Sequence, residues 1–158
     1  MKEAYIALGA NMGDPAAAVQ AAFEALAGLD GIHLLKRSSL YRTAPVGLAG
    51  QPDFINAVAL VATPLAPRLL LTALLETEAA FGRVRQTKNG PRTLDLDLLL
   101  YDDLVLDTPD LTLPHPRLHL RAFVLAPLAE IAPALAIPGR GPVAAWLPAV
   151  ATQAIERL

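Results

Sequence analysis

Gly82-Arg83-Val84-Arg85-Gln86-Thr87-Lys88-Asn89-Gly90-Pro91-Arg92-Thr93-Leu94-Asp95-Leu96-Asp97 is the stretch on which the rest of the chain turns. Four cations (Arg83, Arg85, Lys88, Arg92) run through a Gly90-Pro91 turn into a strand that continues with Leu98-Leu99-Leu100-Tyr101. Successive strand side chains point to opposite faces, so Asp95 and Asp97 share one face while the leucines turn to the core. Their Cα atoms would lie roughly 6.5–7 Å apart, from about 3.3 Å of rise per residue. That spacing suits a pair of hard cations about 3.5–4 Å apart, as in two-metal phosphate chemistry. Acids for Mg²⁺ beside bases for phosphate are what a nucleoside triphosphate demands. An Asp-x-Asp can also be a solvated edge face. Asp is depleted in strands and like charges on one face repel, which favours a site.

Upstream, residues 4–9 read as a buried strand, followed by a turn-rich loop. Asp14 as N-cap and Pro15 at the first helical position open a helix over about 15–28, with Val19, Ala22, Phe23 and Leu26 on one face. Gly9-x-x-x-Gly13 is not a dinucleotide or P-loop fingerprint, and a plain strand-to-helix connection is the better reading. Residues 32–42 form a second strand, and 53–63 alternate into a third. The ten-residue loop between them has the length of a binding loop or lid. Asn56 is polar in an apolar context, either a hydrogen-bonder to that loop or a ligand contact. Pro67 opens a second helix to about 81, with Leu70, Leu71, Leu74, Leu75 and Ala79 as its core stripe.

The order β-α-β-β-α-β predicts a ferredoxin-like α+β core, an antiparallel sheet with both helices on one face and the other face free. A hairpin through Leu104-Val105-Leu106 follows, then a Pro-punctuated loop over 111–121, a helix over 122–131 and a short helical cap around Trp146. A C-terminal hairpin and helices thus extend the core, and without repeats or linkers residues 1–158 read as one domain. His115, held between Pro114 and Pro116, joins Arg117, His119 and Arg121 in a second cationic cluster. It is either solvated surface or, with the acid pair, a polyphosphate site.

Composition removes several classes. There is no cysteine, which excludes disulfides, thiolate catalysis and Cys-ligated zinc, and a net charge of −2 argues against a nucleic-acid partner. Apolar residues make up 54%, too many for a disordered chain. The N-terminus lacks a signal-peptide pattern, and the apolar segment 122–138 is interrupted by Glu130 and prolines. A cytoplasmic protein with no membrane partner, acting as a monomer, is expected.

Several motifs occur together: Tyr5-Ile6-Ala7-Leu8-Gly9-Ala10-Asn11, Tyr41-Arg42-Thr43-Ala44-Pro45, Gln51-Pro52-Asp53-Phe54-Ile55-Asn56 and Gly82-Arg83-Val84-Arg85. Gly90-Pro91-Arg92-Thr93-Leu94-Asp95-Leu96-Asp97, Leu113-Pro114-His115-Pro116-Arg117 and Arg121-Ala122-Phe123-Val124-Leu125 follow in order. Over essentially its whole length the chain resembles the 6-hydroxymethyl-7,8-dihydropterin pyrophosphokinases of folate biosynthesis. The resemblance implies transfer of the β,γ-diphosphoryl group of ATP, the co-substrate, to the pterin hydroxymethyl oxygen, with release of AMP. It implies two Mg²⁺ on Asp95 and Asp97, and arginines Arg83 and Arg92 on substrate phosphates. Glu78, Arg85, Arg92, His115 and Arg121 would meet ATP, with Arg85 on a moving loop. Thr43, Ala44, Val46, Phe54, Asn56 and Phe123 would meet the pterin, the two phenylalanines stacking on its ring. Asn89 stands where some members carry a loop Trp, and the loop is one residue shorter. Asp97 is a candidate general base, or none is needed. A non-catalytic binding module and a nucleotidyltransferase releasing pyrophosphate are the rival readings.

Overall fold

The computed structural model describes residues 1–45, 50–82 and 93–158. In chain order the elements are β1 (Lys2–Ala10), α1 (Pro15–Ala27), β2 (His33–Arg37), β3 (Tyr41–Thr43), β4 (Phe54–Thr63), α2 (Pro67–Ala80) and β5 (Asp95–Tyr101). Then come β6 (Leu106–Asp107), β7 (Thr112–Leu113), α3 (Ala122–Ile131), β8 (Ala136–Ile137), β9 (Gly141–Pro142) and β10 (Ile155–Arg157), with 3₁₀ turns at Leu118–Leu120, Val143–Trp146 and Pro148–Val150. The main sheet runs β10-β3-β4-β1-β5, with β2 also paired to β4, and all its pairings are antiparallel.

β1 is central because both its edges are paired and its side chains serve two cores. Ala4, Ile6, Leu8 and Ala10 pack under α1 and α2 with Phe23, Leu26, Leu70 and Leu74. Full burial of each such leucine contributes about 2 kcal/mol. Helix α1 starts as its sequence dictates, with the Asp14 carboxylate accepting from Ala17 N at 3.1 Å and Pro15 at the first position. In α2 the buried stripe is narrower than expected, Leu70, Leu74, Thr77 and Glu78. Leu71 is half-buried at its edge, and Leu75 and Ala79 are exposed.

The sheet and the tail also differ from expectation. The single strand over 32–42 divides at Ser38, whose N–H donates to Val58 O while its hydroxyl accepts from Val58 N. A hydroxyl standing in for the backbone carbonyl lets the chain bend between β2 and β3. The sheet face opposite α1 and α2 is not free. Val58, Leu60, Leu99 and Leu100 point there and are covered by Leu118, Val124, Leu125, Leu128, Val143 and Val150. A register shift between Tyr5 and Ile6 accompanies the break in alternation that gives this core two successive leucines, Leu99 and Leu100. The tail is also more than a cap, because β10 adds a strand to β3, pairing Ile155 with Thr43 and Arg157 with Tyr41.

The expected hairpin at 104–106 closes slightly later, as β6 against β7, and a second small hairpin joins β8 and β9. Glu130 locks α3 to the sheet edge. Its carboxylate accepts from Ser39 N and Oγ at 3.0 Å, from the Tyr41 hydroxyl at 2.7 Å and from Arg157 at 3.3 Å. Burial alone would raise its pKa, but these donors hold its carboxyl below the ordinary range. The partner Tyr41 is pushed up to about 12 by its own burial and by the bond to Glu130. Among the described residues no helix is long and apolar enough to cross a membrane.

Candidate active site

Where α3 and the tail leave the second sheet face uncovered, a cavity of about 550 Å³ opens. Its floor follows from strand register. Gly9 lies opposite Asn56 of β4 on one side and Asp95 of β5 on the other, and Ala7 lies between Val58 and Asp97. Asp95 and Asp97 therefore do share a face, both half-buried and both lining the cavity. Gly9 and Ala7, with little or no side chain, keep the middle of the floor low. A Cβ on Gly9 would stand 2.9 Å from Asn56 Oδ1. Asn56 is buried, and its Nδ2 donates to Thr43 Oγ1 at 2.8 Å, so this side chain both ties down the end of β3 and lines the cavity.

The walls come from three places. Phe54 opens β4, Thr43, Ala44 and Pro45 follow from β3, and Arg117, Leu120, Arg121 and Phe123 come from the approach to α3. The Arg121 guanidinium carbon stands 5.3 Å above the Phe123 ring, an attractive cation–π distance. Gln153 and Ala154 of the tail complete the lining. Buried Asn11 donates from Nδ2 to Gln51 Oε1 and Pro52 O, both at 3.1 Å, joining the β1–α1 turn to the loop before β4.

Of the residues singled out in the sequence, Thr43, Ala44, Phe54, Asn56, Asp95, Asp97, Arg121 and Phe123 are brought together around this cavity. Val46, Arg83, Arg85 and Arg92, with Lys88 and Asn89, lie outside the described residues. Glu78 stands on α2 beside the edge strand β5. It is buried, does not line the cavity, and its Oε2 accepts the Leu96 N–H at 2.7 Å. β5 is an edge strand there, so a carboxylate from α2 takes the position of a neighbouring strand's carbonyl. The N–H it holds belongs to the residue between Asp95 and Asp97.

His115 is half-buried and not among the lining side chains. Its N–H donates to Leu99 O at 2.9 Å, and its Nδ1 accepts from Arg117 N at 3.1 Å. Burial first, then the Arg121 and Arg117 charges, bring its pKa down to about 4, against an opposing pull from Asp95. The ring is thus neutral at pH 7. With Nδ1 accepting, its proton resides on Nε2, which can donate.

Gly9, Ala7, Arg117, Gln153 and Ala154 are lining residues beyond those proposed from sequence. Arg117 was visible as part of a cationic cluster. Gly9 carried a weak signal as a glycine inside a strand, which often marks a close approach. Gln153 carried none.

An acid pair on the floor, arginines on the wall and two aromatic rings have the chemistry that phosphoryl transfer to a flat heterocycle calls for. The family model described as 7,8-dihydro-6-hydroxymethylpterin-pyrophosphokinase matches residues 5–133. The 2-amino-4-hydroxy-6-hydroxymethyldihydropteridine pyrophosphokinase of Pseudomonas aeruginosa is 45% identical over 158 residues, covering 100% of this chain and 98% of that protein. The enzyme of the same name from Haemophilus influenzae is 46% identical over 138 residues, 87% of this chain and 86% of its own. That from Methylorubrum extorquens is 48% identical over 139 residues, 88% of each. Among solved structures, a single-substitution variant of Plasmodium falciparum HPPK-DHPS with STZ-DHP superposes with a TM-score of 0.74 at 13% identity, over 94% of this chain and 45% of that one. At that identity the likeness concerns the fold, and this chain spans less than half of the solved one. The chain belongs to the 7,8-dihydro-6-hydroxymethylpterin-pyrophosphokinase family.

Proposed function

We propose that the protein transfers the β,γ-diphosphoryl group of ATP to the hydroxymethyl oxygen of 6-hydroxymethyl-7,8-dihydropterin, releasing AMP, as a step of folate biosynthesis. The observation that carries this reading is the shared floor of the cavity, with Asp95 and Asp97 beside Asn56 across a glycine. The pterin hydroxyl oxygen bonds to the β-phosphorus and gives its proton to Asp97 or directly to water, the bond from that phosphorus to the α,β-bridging oxygen breaks, and AMP carries the leaving oxygen.

Asn56 offers a donor and an acceptor to the edge of the pterin ring, while Phe54 and Phe123 cover its faces. Arg121 and Arg117, with Arg83, Arg85 and Arg92 of the sequence between α2 and β5, neutralise phosphate charge. His115 supplies a neutral donor toward ATP.

The carboxylates fit magnesium. Among the described residues no cluster of three or more His, Asp or Glu side chains could hold a metal alone. Mg²⁺ is usually bound by one or two carboxylates plus water and substrate phosphates. Asp95 and Asp97 would hold two ions, which supply charge neutralisation across the transferred group. Glu78 keeps the two acids in register by holding the N–H of the residue between them. The finer assignments are part of the same reading: a ferredoxin-like core, one catalytic domain over residues 1–158, and a monomer working in the cytoplasm.

Product analysis after incubation with Mg-ATP and the pterin tests it. AMP formed one-for-one with a pterin diphosphate, and absent without pterin, is the expected result. ADP would refute the β-phosphorus as target, and pyrophosphate would favour a nucleotidyltransferase. Binding of both ligands without turnover would favour a binding module.

A further inference from the structure

Helix α3 begins at Ala122 with no side-chain cap from its own N-cap residue, Arg121. The first N–H groups of a helix have no partner inside it and must find one elsewhere. Gln153, thirty-one residues later, provides it. Its Oε1 accepts from Ala122 N at 2.8 Å, and its Nε2 donates to Leu120 O at 2.9 Å. A backbone carbonyl only accepts and a backbone N–H only donates, so these two partners determine the orientation of the carboxamide.

Both bonds flank Arg121. The carboxamide stands in for one residue of an adjacent strand, and Arg121 is accordingly extended, at φ −125° and ψ 119°, between a 3₁₀ turn and α3. That conformation leaves Arg121 and Phe123 together on the cavity wall, with the guanidinium over the ring. Two residues beyond Gln153, Ile155 pairs with Thr43. The run 153–155 thus couples the Arg121–Phe123 wall to the Thr43 wall opposite the floor acids.

We propose that Gln153 is a positioning residue of this site, its carboxamide setting the wall formed by Arg121 and Phe123 at the distance the substrates require. The inference rests on the substrate reading above. Gln153 is itself exposed, so the hydrophobic core does not depend on it. Its effect is carried by two hydrogen bonds and is read in binding.

The test compares the wild type with Gln153→Met, which keeps the side chain's length and removes both bonds, and Gln153→Glu, which keeps the acceptor and loses the donor. Formation of AMP and pterin diphosphate by the wild type is measured first and judges the substrate reading separately. In Gln153→Met the KM and Kd for pterin are expected to rise about tenfold, the scale of one to two neutral hydrogen bonds. The thermal midpoint should move by no more than about 3 °C. Gln153→Glu should fall between the two, and it gives the same readout if the Met variant does not fold. In an Arg121→Ala background the Gln153→Met substitution should cost less than in the wild type, because both act on one wall. Unchanged KM and Kd with a lowered thermal midpoint, or strictly additive effects in the double variant, would overturn the proposal.

Discussion

Replacing Gly9 by alanine separates the needs of the sheet from those of the cavity. The backbone of β1 at Gly9 is ordinary strand, so alanine brings no conformational strain and narrows the unfolded ensemble, a gain of about 0.5–1 kcal/mol. Its Cβ would lie 2.9 Å from Asn56 Oδ1, whereas ordinary contact begins at 3.4 Å, so the amide must give way by 3.4 − 2.9 = 0.5 Å. The Asn56 amide is the end of a side chain and can move, but its 2.8 Å bond to Thr43 Oγ1 moves with it. Loss of alignment in one buried hydrogen bond costs about 1–3 kcal/mol, or roughly 5- to 150-fold in an equilibrium constant. For the folded protein this is partly offset by the backbone gain; for pterin binding it is not. The expected outcome is a thermal midpoint lowered by no more than roughly 10 °C, ATP affinity little changed, and pterin affinity reduced by about tenfold or more. Fluorescence titration with the pterin, alongside a thermal melt, measures both. Wild-type pterin affinity in a folded Gly9→Ala protein would refute the role given to the Gly9–Asn56 contact.

Asp95→Ala and Asp97→Ala should each lower turnover at saturating Mg-ATP by at least ~10²-fold with the fold retained, the scale of removing a main electrostatic stabiliser. A near-normal rate in either would remove that carboxylate from the metal site. Glu130→Ala leaves the Tyr41 hydroxyl and Ser39 N–H without their acceptor and should cost about 2 kcal/mol, a fall of roughly 4–8 °C in thermal midpoint. The highest tyrosine ionisation, followed by absorbance, should then drop from about 12 toward the ordinary 10; an unchanged titration would contradict the Glu130 bond. His115 has a folded pKa of about 4, below its ordinary 6.5, so the unfolded chain binds the extra proton between these values. Its contribution to stability is therefore complete above about pH 6.5 and is lost as pH falls toward 4. In metal-free protein His115→Gln should flatten that part of the stability profile, and an NMR titration showing His115 protonated at pH 6 would refute the neutral ring.

Much of this site was legible because its chemistry repeats at short range. The two-residue period alone puts Asp95 and Asp97 on one face, and it held through the strand because the register shift comes after them, nearer Leu99 and Leu100. The order of motifs carried the family resemblance, and the family model bears it out. Glu78 shows the limit. The family resemblance gave it an ATP contact; that β5 would be the outer strand of the sheet, with the Leu96 N–H reaching the Glu78 carboxylate, was not visible from the chain.

The sequence alone determined the helices with their starts, the alternating strands and the chemical inventory of the site, since capping, periodicity and turn chemistry act within a few residues. Tertiary structure decided which strand edges remain open, which sheet face is covered and what stands beside what. Only pairing across 47 positions of chain puts Gly9 opposite Asn56, and only the docking of the tail on β3 brings Gln153 to Arg121. A three-residue strand such as Ile155–Arg157 has no pattern of its own. It becomes a strand because β3 presents unpaired N–H and C=O groups, and that demand arises only once the sheet exists.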